Sequence, residues 1–183
     1  MDAKWMEAMD PNTTAERRDA LLIEMSNISE EEPIDVLNAL AYMEFLIDTH
    51  GTVTNTGRKG MLNMIQTLKS NSYVHTDAES LDNVWEEVIL PTTTEERRKY
   101  LFYELFNVLE SGRPISPKCA LQYIQYMAEP SFAIGEDAKL KGVLNMSHRL
   151  LYDVMQVKRI PPPRGRRPKG GEWDSLNGVW LFK

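Results

Sequence analysis

The sequence predicts an all-α protein: two tandem, internally duplicated helical units of about four helices each, with an extended basic C-terminal arm. Three observations predict it. The stretch "PNTTAERRDALLIEMSNISE" at Pro11 is nearly restated by "PTTTEERRKYLFYELFNVLE" at Pro91, 80 positions later. Apolar residues in both stretches recur at three- and four-residue spacings, the period of one helix face, and no alternating strand pattern of useful length occurs. Beyond residue 157 the composition changes to proline, glycine and arginine, which cannot build a core.

The repeat is longer than the quoted stretches. Between 2–30 and 82–110, 13 of 29 positions are identical, where ordinary composition gives about two by chance. With one inserted residue the match continues through Pro33, Ile34, Ala39, Leu40 and Tyr42 onto Pro114, Ile115, Ala120, Leu121 and Tyr123. With one more, "KGMLNM" at Lys59 meets "KGVLNM" at Lys141. The domain division follows: 1–78 is unit 1, 79–157 is unit 2, and 158–183 is a basic arm ending in an aromatic docking segment.

The first helix of each unit is short and carries Trp5 or Trp85. The second begins at a capping-box pattern, with Thr13 and Thr93 three residues before Glu16 and Glu96. Its inward face is Leu21, Met25 and Ile28, or Leu101, Leu105 and Val108. The third follows "EEPID" or "RPISPK", where Ser116 and Pro117 read as a cap followed by a first-turn proline. Leu40, Met43 and Ile47 match Leu121, Ile124 and Ala128 on its inner side. The fourth helix carries Leu62, Ile65 and Leu68, or Leu144, Leu150 and Val154. A lone unit of this size buries a modest core, so the two are expected to pack as one rigid body.

Arg17-Arg18 and Arg97-Arg98 stand in first helical turns, where the helix dipole disfavours cations. Two readings are open: ion pairs with the recurring Glu7 and Glu87, which is favoured, or a repeated site for an anion or acidic partner.

Composition narrows the function classes. No apolar run approaches the roughly eighteen residues of a membrane span. The start "MDAKWMEAMD" is unlike a secretory signal. The single Cys119 excludes an internal disulfide and reads as a small core residue in a reducing, intracellular setting. His50, His75 and His148 lie far apart, with no accompanying ligands at metal spacing. There is no phosphate-binding glycine loop and no nucleophile elbow. No cofactor, metal, membrane or catalytic role is expected.

Charge is unevenly placed. Residues 158–183 hold seven Lys/Arg and two Asp/Glu, a net of +5. The rest of the chain keeps 14 basic and 25 acidic residues, a net of −11. Within the arm, Lys158, Arg159, Arg164, Arg166, Arg167 and Lys169 are the candidate nucleic-acid contacts, stiffened by proline and suited to phosphate. "RGRRPKG" resembles an AT-hook, the minor-groove element built on Arg-Gly-Arg-Pro, with an extra Arg167 before Pro168. "KR…RGRRPK" also resembles a basic nuclear-import signal. A solubilising tail, or an arm that lies back on its own acidic body, fits the same residues.

After the arm, "SLNGVW" at Ser175 echoes "SLDNVW" at Ser80, which suggests the first helix of a third, truncated unit. Trp173, Leu176, Val179, Trp180 and Phe182 are its candidate assembly or docking residues, in this chain or in a neighbour. The leading expectation is a non-enzymatic helical scaffold or assembly protein that contacts nucleic acid through the arm and self-associates or binds another protein. A viral or phage structural or accessory protein, or a chromatin-associated adaptor, fits that description; the location would be intracellular, nuclear or virion-associated. The alternative is a protein–protein adaptor whose tandem units grip a partner helix, with the tail as import signal or Pro-rich ligand.

Overall fold

The computed structural model describes residues 1–27, 33–49, 55–70, 79–129, 138–154, 171–174 and 179–182. Its body is all-helical. In the first half run α1 (Asp2–Met9), α2 (Ala15–Ser26), α3 (Val36–Asp48) and α4 (Asn55–Lys69). In the second run α5 (Asp82–Ile89), α6 (Glu95–Phe106), a single turn α7 (Val108–Ser111), α8 (Pro117–Ala128) and α9 (Ala138–Arg149). A π-helical turn, Leu150–Val154, extends α9. Among the described residues no helix is long and apolar enough to cross a membrane.

The inward faces follow the apolar spacing. Leu21, Met25, Leu40, Met43 and Ile47 are buried, as are Leu101, Leu105, Val108, Leu121, Ile124 and Ala128. Ile28 lies outside the described residues, and so do His50 and His75. On α4 the buried set is Met61, Met64, Ile65 and Leu68, while Leu62 is only half-buried. Val143, Met146, Leu150 and Leu151 are buried on α9 and its extension, and Leu144 is half-buried. All join one continuous core that includes both Trp5 and Trp85.

The cap of the second helix is displaced by one residue from the capping-box expectation. Thr14 and Thr94, not Thr13 and Thr93, are the N-caps, accepting from the backbone N–H of Arg17 and Arg97. The preceding threonines serve the other helix. The Thr13 hydroxyl donates to the Glu7 carbonyl at 2.6 Å, and Thr93 donates likewise to the Glu87 carbonyl. The two threonines divide the work: one adds a second donor to a last-turn C=O that already accepts from the Asp10 or Leu90 N–H, the next satisfies a free N–H of the helix that begins. Ser116 caps α8 with Pro117 in the first turn, and Asp35 caps α3. Gly112 ends α7 with φ of 62°, the left-handed region that favours glycine.

The fourth helix of each half packs on the other half. α4 lies against α8, as well as against α3, and touches α6 and α7. α9 lies against α2 and α3, as well as against α8. Two matched pairs of contacts show what the crossing requires. A Cβ on Gly60 of α4 would sit 2.2 Å from the Tyr123 hydroxyl of α8. A Cβ on Gly142 of α9 would sit 2.7 Å from the Tyr42 hydroxyl of α3. Three residues on, Asn63 donates from Nδ2 to the Phe106 carbonyl at 2.8 Å, and Asn145 donates to the Ser26 carbonyl at 2.8 Å. Ser26 and Phe106 are the last residues of α2 and α6, whose terminal carbonyls have no partner within their own helix. The shared pattern Lys-Gly-x-Leu-Asn-Met thus carries the glycine and asparagine that dock each fourth helix onto the opposite half.

The C-terminal segment departs from the expected third first-helix. Gly171–Asp174 (β1) and Val179–Phe182 (β2) form an antiparallel pair, with Trp173 opposite Trp180. Gly170 precedes the first strand and Gly171 opens it, Asn177-Gly178 precedes the second, and the second strand itself is Val-Trp-Leu-Phe. That composition favours strand over helix and outweighs a four-residue likeness to Ser80–Trp85.

Gly60→Ala is expected to destabilise the protein by about 1–3 kcal/mol through overpacking. Tyr123→Phe should recover part of that loss, because removing the hydroxyl leaves ring carbon Cζ, at 3.2 Å, as the nearest atom. Urea unfolding of both single variants and the double variant checks this; additive effects would contradict the close approach.

Candidate functional site

The repeated arginines resolve into two identical arrangements. Arg17 reaches back from α2 to α1, with Nε 2.7 Å and a terminal nitrogen 3.2 Å from the two Glu7 carboxylate oxygens. Arg97 holds Glu87 in the same fork at 2.7 and 2.9 Å. Arg18 turns the other way and donates to the carbonyls of Ala8, Asp10 and Thr13. Arg98 repeats this on Val88, Leu90 and Thr93. The Ala8 and Val88 carbonyls lie in the last turn of the preceding helix, where the dipole favours positive charge. A cation that looks misplaced at the start of α2 or α6 is therefore well placed for the end of α1 or α5. The fork's hydrogen bonds from Arg17 and Arg97 hold the Glu7 and Glu87 carboxyls below the usual glutamate range.

The candidate nucleic-acid contacts Lys158, Arg159, Arg164, Arg166, Arg167 and Lys169 lie outside the described residues, as does Leu176. Trp173 is half-buried in β1. Val179, Trp180 and Phe182 belong to β2, placed there by backbone pairing.

One recess among the described residues was not foreseen. α1, α3 and α4 bound an open groove of about 460 Å³ lined by Trp5, Met9, Ala41, Glu44, Phe45, Asp48, Leu62 and Gln66. Trp5 forms its inner wall, edge-on to Tyr42 and to Phe45 with ring centroids 6.2 Å away in each case. Glu44 is paired with Lys69. The Asp48 carboxylate is exposed and has no partner among the described residues, while its carbonyl accepts from Arg58 at 3.4 Å. Among the described residues the Trp5 ring N–H has no acceptor.

The matched position in the second half differs in its polar contact. Trp85 is held edge-on by Tyr123 and Tyr126 in the same way. There, however, Gln122 occupies the position of Ala41, and its Oε1 accepts from the Trp85 ring N–H at 3.1 Å. Gln122 is buried and its Nε2 has no partner, an arrangement that costs about 1–3 kcal/mol. Ala41 lines the groove and its methyl offers the Trp5 ring N–H no acceptor. The groove arises where the two stretches differ, so a search for what they share passes over it.

Cys119 is buried at the start of α8. Burial pushes its thiol up to about 12, against an opposing hydrogen bond with Ser116. No group of three or more His, Cys, Asp or Glu side chains that could hold a metal ion occurs among the described residues. No known protein family, curated protein or solved structure matches the chain.

Two outcomes follow from these environments. A depressed carboxyl contributes stability above its ordinary value and loses it as pH falls through the folded value. Glu7 and Glu87 should therefore titrate below the ordinary 4.5, and Arg17→Ala should return Glu7 towards it while Glu87 stays low; NMR titration of the carboxyl carbons reads this. At pH 8 the native chain should react with a disulfide-exchange thiol reagent orders of magnitude more slowly than the urea-unfolded chain. Equal rates would place Cys119 at the surface.

Proposed function

We propose that this chain is a non-enzymatic helical scaffold that assembles through its surfaces and contacts nucleic acid through its basic C-terminal arm. The observation that carries the reading is the separation of charge, net +5 over 158–183 against −11 over the remainder. An acidic body repels phosphate, and a compact set of arginines and lysines attracts it. The arrangement of the body supports confining the contact to the arm. Arg17, Arg18, Arg97 and Arg98 are its most conspicuous basic cluster in sequence, and all four are engaged with Glu7, Glu87 or helix-end carbonyls.

The body itself we read as two copies of one four-helix unit, 1–78 and 79–157, with their fourth helices exchanged. The reciprocal glycine–tyrosine and asparagine–carbonyl contacts support this. Exchange makes the two units inseparable, which suits a rigid platform for an arm.

The test is fluorescence anisotropy on mixed-sequence DNA and RNA at several salt concentrations. The full chain is compared with a full-length variant carrying serine at Lys158, Arg159, Arg164, Arg166, Arg167 and Lys169. The native chain should bind, with log affinity falling against log salt at a slope of about −5 on duplex DNA if all six residues meet phosphate. The variant should not bind. Equal binding by both chains, or none by either, removes the nucleic-acid reading.

A further inference from the structure

We propose that the groove bounded by α1, α3 and α4 receives an arginine side chain from a basic segment of a partner protein. Its lining points to that chemistry. Two aromatic rings, Trp5 and Phe45, meet there at 74° with centroids 6.2 Å apart, so they form a corner rather than one flat wall. Met9, Ala41 and Leu62 add apolar surface. The charged residues of the lining are both acids, Glu44 and Asp48, one helical turn apart on α3. Lys69 neutralises Glu44, which leaves Asp48 as the uncompensated charge. Its carboxylate has no partner among the described residues, and the neighbouring Arg58 donates to its carbonyl instead. Gln66, one turn beyond Leu62 on α4, adds an exposed amide.

Arginine fits this combination. Its methylene stem covers apolar surface while the charged head stays near water. Its planar guanidinium is weakly hydrated, packs against aromatic rings and forks onto a carboxylate. It carries more donors than that fork uses, and the Gln66 amide oxygen offers a further acceptor. A lysine ammonium is a compact, strongly hydrated charge and gains less from aromatic walls.

Charge selects the partner. The net of −11 over 1–157 attracts a basic segment and repels a second acidic body. The basic pairs that a second body would present, Arg17-Arg18 and Arg97-Arg98, are already engaged with Glu7, Glu87 and backbone carbonyls. The open form of the groove selects a macromolecule over a free small cation. Sites for small molecules enclose most of their ligand, whereas here a ligand would stay largely in water. A side chain is held in such a groove by the backbone that carries it. The proposal does not require the arm to bind phosphate, and its test contains no nucleic acid.

The test titrates the peptide acetyl-Gly-Arg-Gly-amide into the 15N-labelled full chain and follows the backbone amides of Phe45 and Asp48. Both should move saturably, while those of Tyr126 and Glu129, at the matched positions of the second half, stay in place. The peptide with citrulline for arginine, which keeps the shape and loses the charge, should not bind, and the lysine peptide should bind several-fold more weakly. Asp48→Asn should weaken the arginine peptide about twofold to fivefold, the range of an exposed ion pair, with the helical circular dichroism retained. Glu110→Gln, which removes an exposed acid of α7 outside the groove, should leave the affinity unchanged and so separates a site from general attraction to an acidic body. An unmoved Phe45 signal overturns the proposal, as do equal responses to the arginine, lysine and citrulline peptides or equal weakening by Asp48→Asn and Glu110→Gln. A response confined to the full-length variant with serine at the six basic arm positions overturns it by assigning the groove to the chain's own arm. Shifts of Phe45 and Asp48 that appear on raising the protein concentration without peptide overturn it by assigning the groove to a second copy.

Discussion

The absence of a side chain at Gly60 and Gly142 is the constraint on which the body depends. Each glycine lets a fourth helix approach a tyrosine of the opposite half so closely that a single added carbon would overlap the hydroxyl. That approach brings Asn63 and Asn145 within reach of the last carbonyls of α6 and α2. A helix that ends in the interior leaves such carbonyls without partners, and the asparagine amide removes that penalty. The same two residue types therefore set the distance between the halves and satisfy the groups the distance buries. α4 packs on α8 as well as on α3, α9 packs on α2 and α3 as well as on α8, and the core is one.

At the outer end of each half a second device joins the short first helix to the second. It uses Pro11 to Arg18, or Pro91 to Arg98, as one unit. One threonine serves the ending helix and the next serves the starting one. One arginine forks onto a glutamate of the preceding helix, and its neighbour gathers that helix's final carbonyls. The ion pairs are exposed and individually weak. Their contribution lies in orienting α1 against α2, and α5 against α6, so that Trp5 and Trp85 enter the core at a fixed angle. Asp2 and Asp82 extend the joint, accepting from Asn38 and from the Ser116 backbone at the start of the third helix.

Against this shared framework, small differences have large local effects. Ala41 and Gln122 occupy matched positions beside matched tryptophans, yet Ala41 lines a groove and Gln122 accepts from the ring nitrogen. Trp85 is correspondingly the more buried, 2% exposed against 8% for Trp5. A framework held by contacts remote from the groove tolerates such a change.

How much was legible in the residues divides along the range of the interactions. Helix positions, inward faces and the cap at Ser116 were read from spacing and local hydrogen bonding, because a helix is specified by residues three and four apart. The link between Arg17 and Glu7, ten residues away, was legible because both members recur. The cap was misplaced by one residue, since Thr13 and Thr14 are chemically equivalent until the end of α1 claims one of them. The C-terminal likeness to a first helix failed because four matching residues do not outweigh glycines and β-prone neighbours. The sequence by itself determined the helical class, the repeated elements and the division of charge, all of which are carried by local pattern or composition. Only the tertiary structure decided which half each fourth helix packs on, why Gly60 and Gly142 are glycine, and where a groove opens. Those depend on side chains some 60 to more than 100 positions apart, for which linear spacing carries no signal.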